Sequence, residues 1–273
     1  MSLNKENITN LVKEIVESIK NAISCYGIED IELFCNDLLF FDVKEREKIT
    51  DDTLIKIEQI DAIIDILYYT FNVMSKNKIE YYEYKVDNDN DNLLEFYNSV
   101  KQFTEESSSP MKPVKEQTTD LSIDEVKFFV SMIFSELIEL LQTVTNNLDE
   151  AKDILKSIVD LKFNLSSNIS NTSRTQLLNN FVYCVYINWI ELSNLDEDLF
   201  KEMFNEVHQA NMRKKDPETG KFIIRETDGK ILKPKGWIAA DLNIFYLAVK
   251  YNSLYTEIDE APGIRFYNVG IKK

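Results

Sequence analysis

An all-α fold is predicted by three features of this 273-residue sequence: only 6 Gly and 5 Pro punctuate it, apolar residues recur at helical spacing, and long runs are rich in Ile, Leu, Glu, Lys and Asn. A turn-dense β fold needs more chain breakers than this. With 44% hydrophobic residues the chain can bury a substantial core, as one large domain or two smaller ones.

The elements follow in chain order. Residues 7–24 read as an amphipathic helix, because Ile8, Leu11, Val12, Ile15, Ile19, Ala22 and Ile23 form one stripe. A second helical region covers roughly 28–42. Asp51 and Asp52 are good helix-start residues, and an unusually apolar helix is predicted behind them over 53–76. The alternating Asp and Asn of 87–92 make a loop, a short helix spans 93–105, and Ser107, Ser108, Ser109, Pro110 and Pro113 read as a linker.

The second half repeats this order. A helix over 122–145 precedes a helical region at 148–160, a polar loop from Ser166 to Ser173 and another apolar helix at 175–192. The offset of roughly 120 residues suggests duplication. The expected division is therefore a first, partial repeat over 1–85, a linker over 86–119, and a second repeat over 120–273 that alone carries a tail from Phe204 onward.

The formal net charge of -16 repels phosphate backbones, so no nucleic-acid partner is expected, and any anionic ligand needs local cations. Cys25, Cys35 and Cys184 are odd in number and lie in apolar sequence, which fits reduced core thiols and a cytoplasmic location. Met1–Asn10 lack a basic region followed by an apolar run, so no signal peptide is predicted. No stretch approaches the roughly 20 apolar residues of a membrane span.

The chemistry starts at Glu58, Asp61 and Asp65. Their spacing of i, i+3 and i+7 places them within an arc of about 60° on one helix. The other faces carry Ile55, Ile60, Ile63, Ile64, Ile66, Leu67, Phe71, Val73 and Met74, so the acids are not simply a solvent face. Crowded, partly buried carboxylates repel one another and lose hydration; a hard divalent ion with oxygen ligands relieves both. The competing reading is an exposed acidic stripe, or acids paired with Lys or Arg of a neighbouring helix.

Two helices offer a Glu-x-x-Glu pair to complete the site. Glu14 and Glu17 lie on what reads as an ordinary solvated face with Lys13, Lys20 and Asn21. Glu136 and Glu139 share their side with Phe128, Phe129, Met132 and Thr143, and around Gln176, Asn179 and Tyr183 the second apolar helix has lost its acids. A composite site from Glu58, Asp61, Asp65, Glu136 and Glu139 is the favoured expectation. A local site using Glu14 and Glu17 stays open.

Between Arg213 and Lys235 the charge reverses: Arg213, Lys214, Lys215, Lys221, Arg225, Lys230, Lys233 and Lys235 stand against four acids. Thr227-Asp228-Gly229 between two short apolar runs predicts a small β-hairpin. An anion can dock here, although solvated lysines that serve solubility give the same pattern. His208 is the only histidine, which excludes His-rich metal sites and disfavours a His-based triad. Neither a phosphate-binding loop of the Walker type nor a dinucleotide fingerprint is present.

Glu136-Leu-Ile-Glu139 and Glu58-Gln-Ile-Asp61, together with Glu206-Val-His-Gln-Ala-Asn-Met-Arg-Lys214, Thr227-Asp-Gly-Lys230 and Lys233-Pro-Lys-Gly-Trp237, resemble the motifs of the all-α nucleotide pyrophosphohydrolases, the MazG and phosphoribosyl-ATP pyrophosphohydrolase-like group. The resemblance covers about two thirds of the chain, and the tail is its most specific part. Here the two acidic motifs occur in reversed order and in different halves. The resemblance therefore implies two MazG-like repeats in one chain, an intramolecular pseudo-dimer helical bundle, with further homodimerisation open.

It also implies hydrolysis of a nucleoside triphosphate or related nucleotide between its α and β phosphates, with Mg²⁺ or Mn²⁺ as cofactor. Glu58, Asp61, Glu136 and Glu139 are the candidate catalytic carboxylates, and Asp65 joins them as a metal ligand. Asn211, Lys214 and Lys230 are candidates for contacts to phosphate or base. Trp237 either stacks on a base or covers the site. The alternative is a non-catalytic nucleotide-binding or regulatory protein on the same scaffold, and a third reading is an acidic helical interaction module without a small-molecule site.

Overall fold

Short polar side chains set most helix starts in the computed structural model, which describes residues 2–39, 43, 45–82, 92–107, 121–145, 147–163, 165, 174–225 and 231–243. Asn4 accepts from the Asn7 amide ahead of α1 (Lys5–Ile23), and Asp30 accepts from Leu33 ahead of α2 (Ile31–Asp37). Asp51 accepts from Thr53 and Leu54 at the head of α3 (Asp52–Lys76). After α4 (Asn92–Ser107), Ser122 and Glu125 form a reciprocal capping box on α5 (Ile123–Gln142). Asn147 caps α6 (Leu148–Val159), and Asp196 caps α8 (Glu197–Met212), which follows α7 (Arg174–Ser193). Each cap gives an otherwise unbonded helix amide an acceptor, typically worth about 1 kcal/mol.

The regular secondary structure among the described residues is helical, as the periodicity predicts. The structure adds α8, whose start precedes the tail expected from Phe204, because Asp196 caps it and Leu199, Phe200, Met203, Phe204 and Val207 form its buried stripe. Asn194 stands between α7 and α8 with φ 47, a left-handed conformation that asparagine tolerates and that ends α7. The predicted hairpin is not shown: one isolated antiparallel bridge, Ile224 with Ile231, joins its arms, another, Lys215 with Phe222, closes an earlier turn, and no regular strand forms among the described residues. Its turn at 227–229, Lys230 and the linker positions 108–113 lie outside the described residues.

Helices of both halves share one core. The first helix packs mainly on α7 and also on α5 and α6; α3 packs on α5, α4, α7 and α8; α2 lies on α6, and α4 on α8. The central position of α3 explains its composition: Ile60, Ile63, Ile64, Ile66, Leu67 and Phe71 are buried on successive sides of it. Each such side chain contributes roughly 1.5–3 kcal/mol of burial free energy. On the tail side, Phe204 of α8 stacks on Phe96 of α4 with ring centroids 4.1 Å apart. That contact carries the end of α8 toward α3, where Tyr68 and His208 approach at 3.3 Å (Oη to Nδ1). The three cysteines are free thiols, and no described helix is long and apolar enough to cross a membrane.

Candidate functional site

Because α3 and α5 pack against each other, the acids of the two halves meet. Glu58, Asp61 and Asp65 of α3 and Glu136 and Glu139 of α5 form one electrostatic cluster, each of Asp61, Asp65 and Glu136 feeling charges from the opposite helix. Glu14 and Glu17 fall elsewhere, beside Cys184 of α7.

Burial dominates the electrostatics. Asp61 and Asp65 retain a path to solvent, but protein on most sides removes much of their hydration. Asp61 is pushed up to about 6, first by burial and then by Glu58 and Glu139, against the pull of Arg46. Asp65 is pushed up to about 8 by burial, Asp61 and Glu139, with Lys214 and Arg46 opposing. Glu136, only 6% exposed, moves further in the same direction for the same reason, and burial also raises Glu139. Low-dielectric surroundings penalise the charged form, and neighbouring like charges add to the penalty. The half-buried Tyr69 phenol is likewise driven up, by burial and then by Asp65 and Glu136.

A cation already spans the mouth of the cluster. Arg46 donates one guanidinium nitrogen to Glu58 Oε2 and the other to Glu139 Oε2, tying α3 to α5. Its backbone amide donates to Gln142 Oε1 at 3.1 Å, which pins the segment before α3 across the end of α5. Buried Gln59 completes the frame: it accepts from Leu3 N at 2.9 Å and donates to Leu3 O at 3.0 Å and Thr143 Oγ1 at 3.2 Å. Beside Glu58 lies a cleft of about 320 Å³ bounded by Arg46, Lys48, Thr50, Gln142, Thr143 and Thr145.

Arg46 is a site residue that the sequence reading did not single out. Its signal, one Arg between Glu45 and Glu47 in a short charged run, is what an ordinary solvated loop also shows. No three Asp, Glu, His or Cys side chains among the described residues converge as a metal-holding group. The donor chemistry nevertheless fits a hard divalent cation: carboxylate oxygens from two facing helices, deprived of water and mutually repulsive.

The tail closes the other end of the cluster. Lys214 acts on Asp65, its Nζ lying 2.6 Å from Asn211 Oδ1, and Asn211 also hydrogen-bonds Tyr68. Trp237 donates Nε1 to the Ala210 carbonyl at 2.8 Å, satisfying an acceptor in the last turn of α8. Lys233 sits 4.0 Å from the Trp237 ring centroid and Lys214 5.8 Å from it, so the indole is half-buried among cations. Arg213 and Lys215 are paired with Glu206 and Glu106. Of the predicted site residues, the structure thus gathers the five acids at one locus and brings Asn211, Lys214 and Trp237 to its Asp65 end. No protein family, curated protein or solved structure matches this sequence.

Proposed function

We propose that this chain is a divalent-metal-dependent nucleotide pyrophosphohydrolase of the MazG-like kind, cleaving a nucleoside triphosphate or related nucleotide between the α and β phosphates. The observation that carries the reading is the meeting of Glu58, Asp61 and Asp65 with Glu136 and Glu139 across the α3–α5 interface, with Lys214 at one end. Those acids would hold Mg²⁺ or Mn²⁺, whose part is to neutralise phosphate charge and acidify a bound water. A carboxylate of the set not engaged as a ligand orients that water and takes its proton. Asn211 and Lys214 bind the phosphates from the Asp65 side, and Trp237 fixes the wall behind them through its bond to Ala210.

Tandem duplication belongs to the same proposal. Two of the three most extensive helix pairs, α1 with α7 and α3 with α5, are carried into each other when the two halves are exchanged, and α2 with α6 maps onto itself, whereas the third, α3 with α4, has no such counterpart between α7 and α8 among the described residues. One chain then supplies what two subunits otherwise build, and only one of its two equivalent faces keeps the acids. Three free thiols and the acidic composition fit a cytoplasmic setting.

The test is release of pyrophosphate and nucleoside monophosphate from a panel of canonical, modified and phosphoribosylated nucleotides, with and without Mg²⁺ or Mn²⁺. Asp61→Asn and Glu139→Gln should each lower kcat/KM by at least about a hundredfold. Glu17→Gln should leave it unchanged. Metal-independent binding of nucleotide with no product would replace the enzyme by a binding protein, and equal losses in Glu17→Gln and Glu139→Gln would move the site.

A further inference from the structure

We infer that Arg46 is an exchangeable internal counter-ion: it occupies the position between Glu58 and Glu139 until a divalent cation displaces it, and its freed guanidinium then binds phosphate in the adjoining cleft. The inference rests on the metal reading above and adds a residue and a location to it.

Three observations lead there. The guanidinium bridges acids from both α3 and α5, at the mouth of the cluster where a cation is most needed. It is one-third exposed and carried by a segment outside the helices, so it can leave without disturbing the core. The same residue lines the cleft of about 320 Å³ that begins beside Glu58. A guanidinium and a divalent ion cannot both sit between two carboxylates, because like charges a few ångströms apart repel strongly in partly desolvated surroundings. Released from Glu58 and Glu139, the planar donor fork matches phosphate oxygens as well as it matched carboxylates.

The cleft offers a phosphate group the Arg46 guanidinium, Lys48 and the Thr50 hydroxyl against the charges of Glu47 and Glu58, while the Thr143 and Thr145 hydroxyls already donate to the Leu140 and Asn147 carbonyls. Lys214 lies at the far end of the acids, so cations bracket the cluster on both sides. A polyphosphate lying along α3 would meet Lys214 at one end and Arg46 at the other, with the carboxylates and their metal between. The ligand class assigned to the cleft is therefore the pyrophosphate portion of the substrate.

The experiment uses the full chain and two probes, Mn²⁺ alone and inorganic pyrophosphate on the Mn²⁺-loaded protein, each followed calorimetrically. Arg46→Gln should bind Mn²⁺ about tenfold more tightly, since its competitor is gone, and bind pyrophosphate about tenfold more weakly. Arg46→Lys, which keeps the charge without the fork, should fall between the parent and Arg46→Gln on both scales. Opposite signs on the two affinities are the signature; loss of structure moves both the same way. The parent protein gives an independent readout, because Mn²⁺ should speed tryptic cleavage after Arg46. Unchanged or weaker Mn²⁺ binding in Arg46→Gln, unchanged pyrophosphate binding, or no metal-dependent cleavage would overturn the inference. Absence of Mn²⁺ binding from the parent and from both Arg46 variants removes the metal reading as well, whereas Mn²⁺ binding that Asp61→Asn abolishes and Arg46→Gln leaves unaltered removes only the exchange.

Discussion

The α3–α5 and α1–α7 interfaces are packed alike and charged differently. In the first, five acids from the two helices meet and draw in Arg46 and Lys214. In the second, Glu14 and Glu17 of α1 adjoin Cys184 and Ser18, and the α7 side offers the thiol and the Asn188 amide in place of carboxylates. Both faces are supported by apolar residues of the same kind: Ile63, Leu67, Val130 and Leu137 on one, Val12, Ile19, Val182 and Val185 on the other, all fully buried. Packing thus sets where the helices lie, and it is indifferent to whether the stripe between them is acidic. Crowded, partly buried carboxylates cost stability, so the acids of the α3–α5 stripe contribute nothing to the packing that holds the two helices together.

The largest expected effect follows from that cost. A carboxyl whose folded-state value is raised binds its proton more tightly folded than unfolded, so its stabilisation is complete below about pH 4 and disappears as pH rises through the folded value. Asp61 at about 6, Asp65 at about 8 and Glu136 at about 10 place the loss between about pH 4 and pH 10. Metal-free protein should lose on the order of 10 °C of melting temperature across that window. Asp65→Asn should flatten the profile and raise the midpoint at alkaline pH, while Glu17→Gln leaves the slope as it was. A thermal melt series at fixed ionic strength decides it; a parent profile as flat as that of Asp65→Asn would show that the acids are not strained.

Much of this architecture was legible in the residues. The apolar stripe of α1 and the all-round apolar surface of α3 gave both helices and their burial, because periodicity reports packing directly. Glu58, Asp61 and Asp65 were legible as one stripe for the same reason. Arg46 was not, since pairing across elements depends on how a loop is laid over α5, which no local spacing encodes. The early start of α8 was missed although Asp196 and the stripe from Leu199 to Val207 carry an ordinary capping and amphipathic signal. The turn and Lys230 of the expected hairpin lie outside the described residues, so that part of the site reading stands on sequence alone.

A second comparison sets Lys20 on α1 against Gln142 on α5, which stand at the same offset as the two Glu-x-x-Glu pairs. Gln142 receives the Arg46 amide and borders the cleft. Lys20 instead is fully buried, donating to Val159 O at 2.6 Å and Leu161 O at 3.1 Å, with Glu32 at 3.7 Å and the Phe163 ring beneath it. It closes the end of α6, where carbonyls lack intrahelical donors. Lys20→Met keeps the stem volume and removes the donor, and should cost about 2–3 kcal/mol in urea unfolding. Gln142→Met, at the partly exposed counterpart, should cost under about 1 kcal/mol. Equal losses at the two positions would mean that the α5 end is as dependent on its polar contact as the α6 end.

The smallest effect is the most direct attempt to break the comparison, by adding an acid to the α7 side of the α1–α7 face. Cys184 is half-buried, its Sγ 3.2 Å from Asn188 Nδ2, and the Glu14 and Glu17 charges already push the thiol in the same upward direction as its burial. An aspartate there meets the same two penalties, offset in part by donors from Ser18 and Asn188. Cys184→Asp should therefore destabilise the chain by about 1–2 kcal/mol at neutral pH. The loss should shrink as pH falls and the new carboxyl takes up its proton, the same sign as for Asp61 and Asp65. Cys184→Ser, polar but uncharged, separates the charge from the loss of sulfur packing. If Cys184→Asp is no less stable than Cys184→Ser at any pH, the α1–α7 face is well enough hydrated to carry charge, and burial is not what distinguishes the two interfaces.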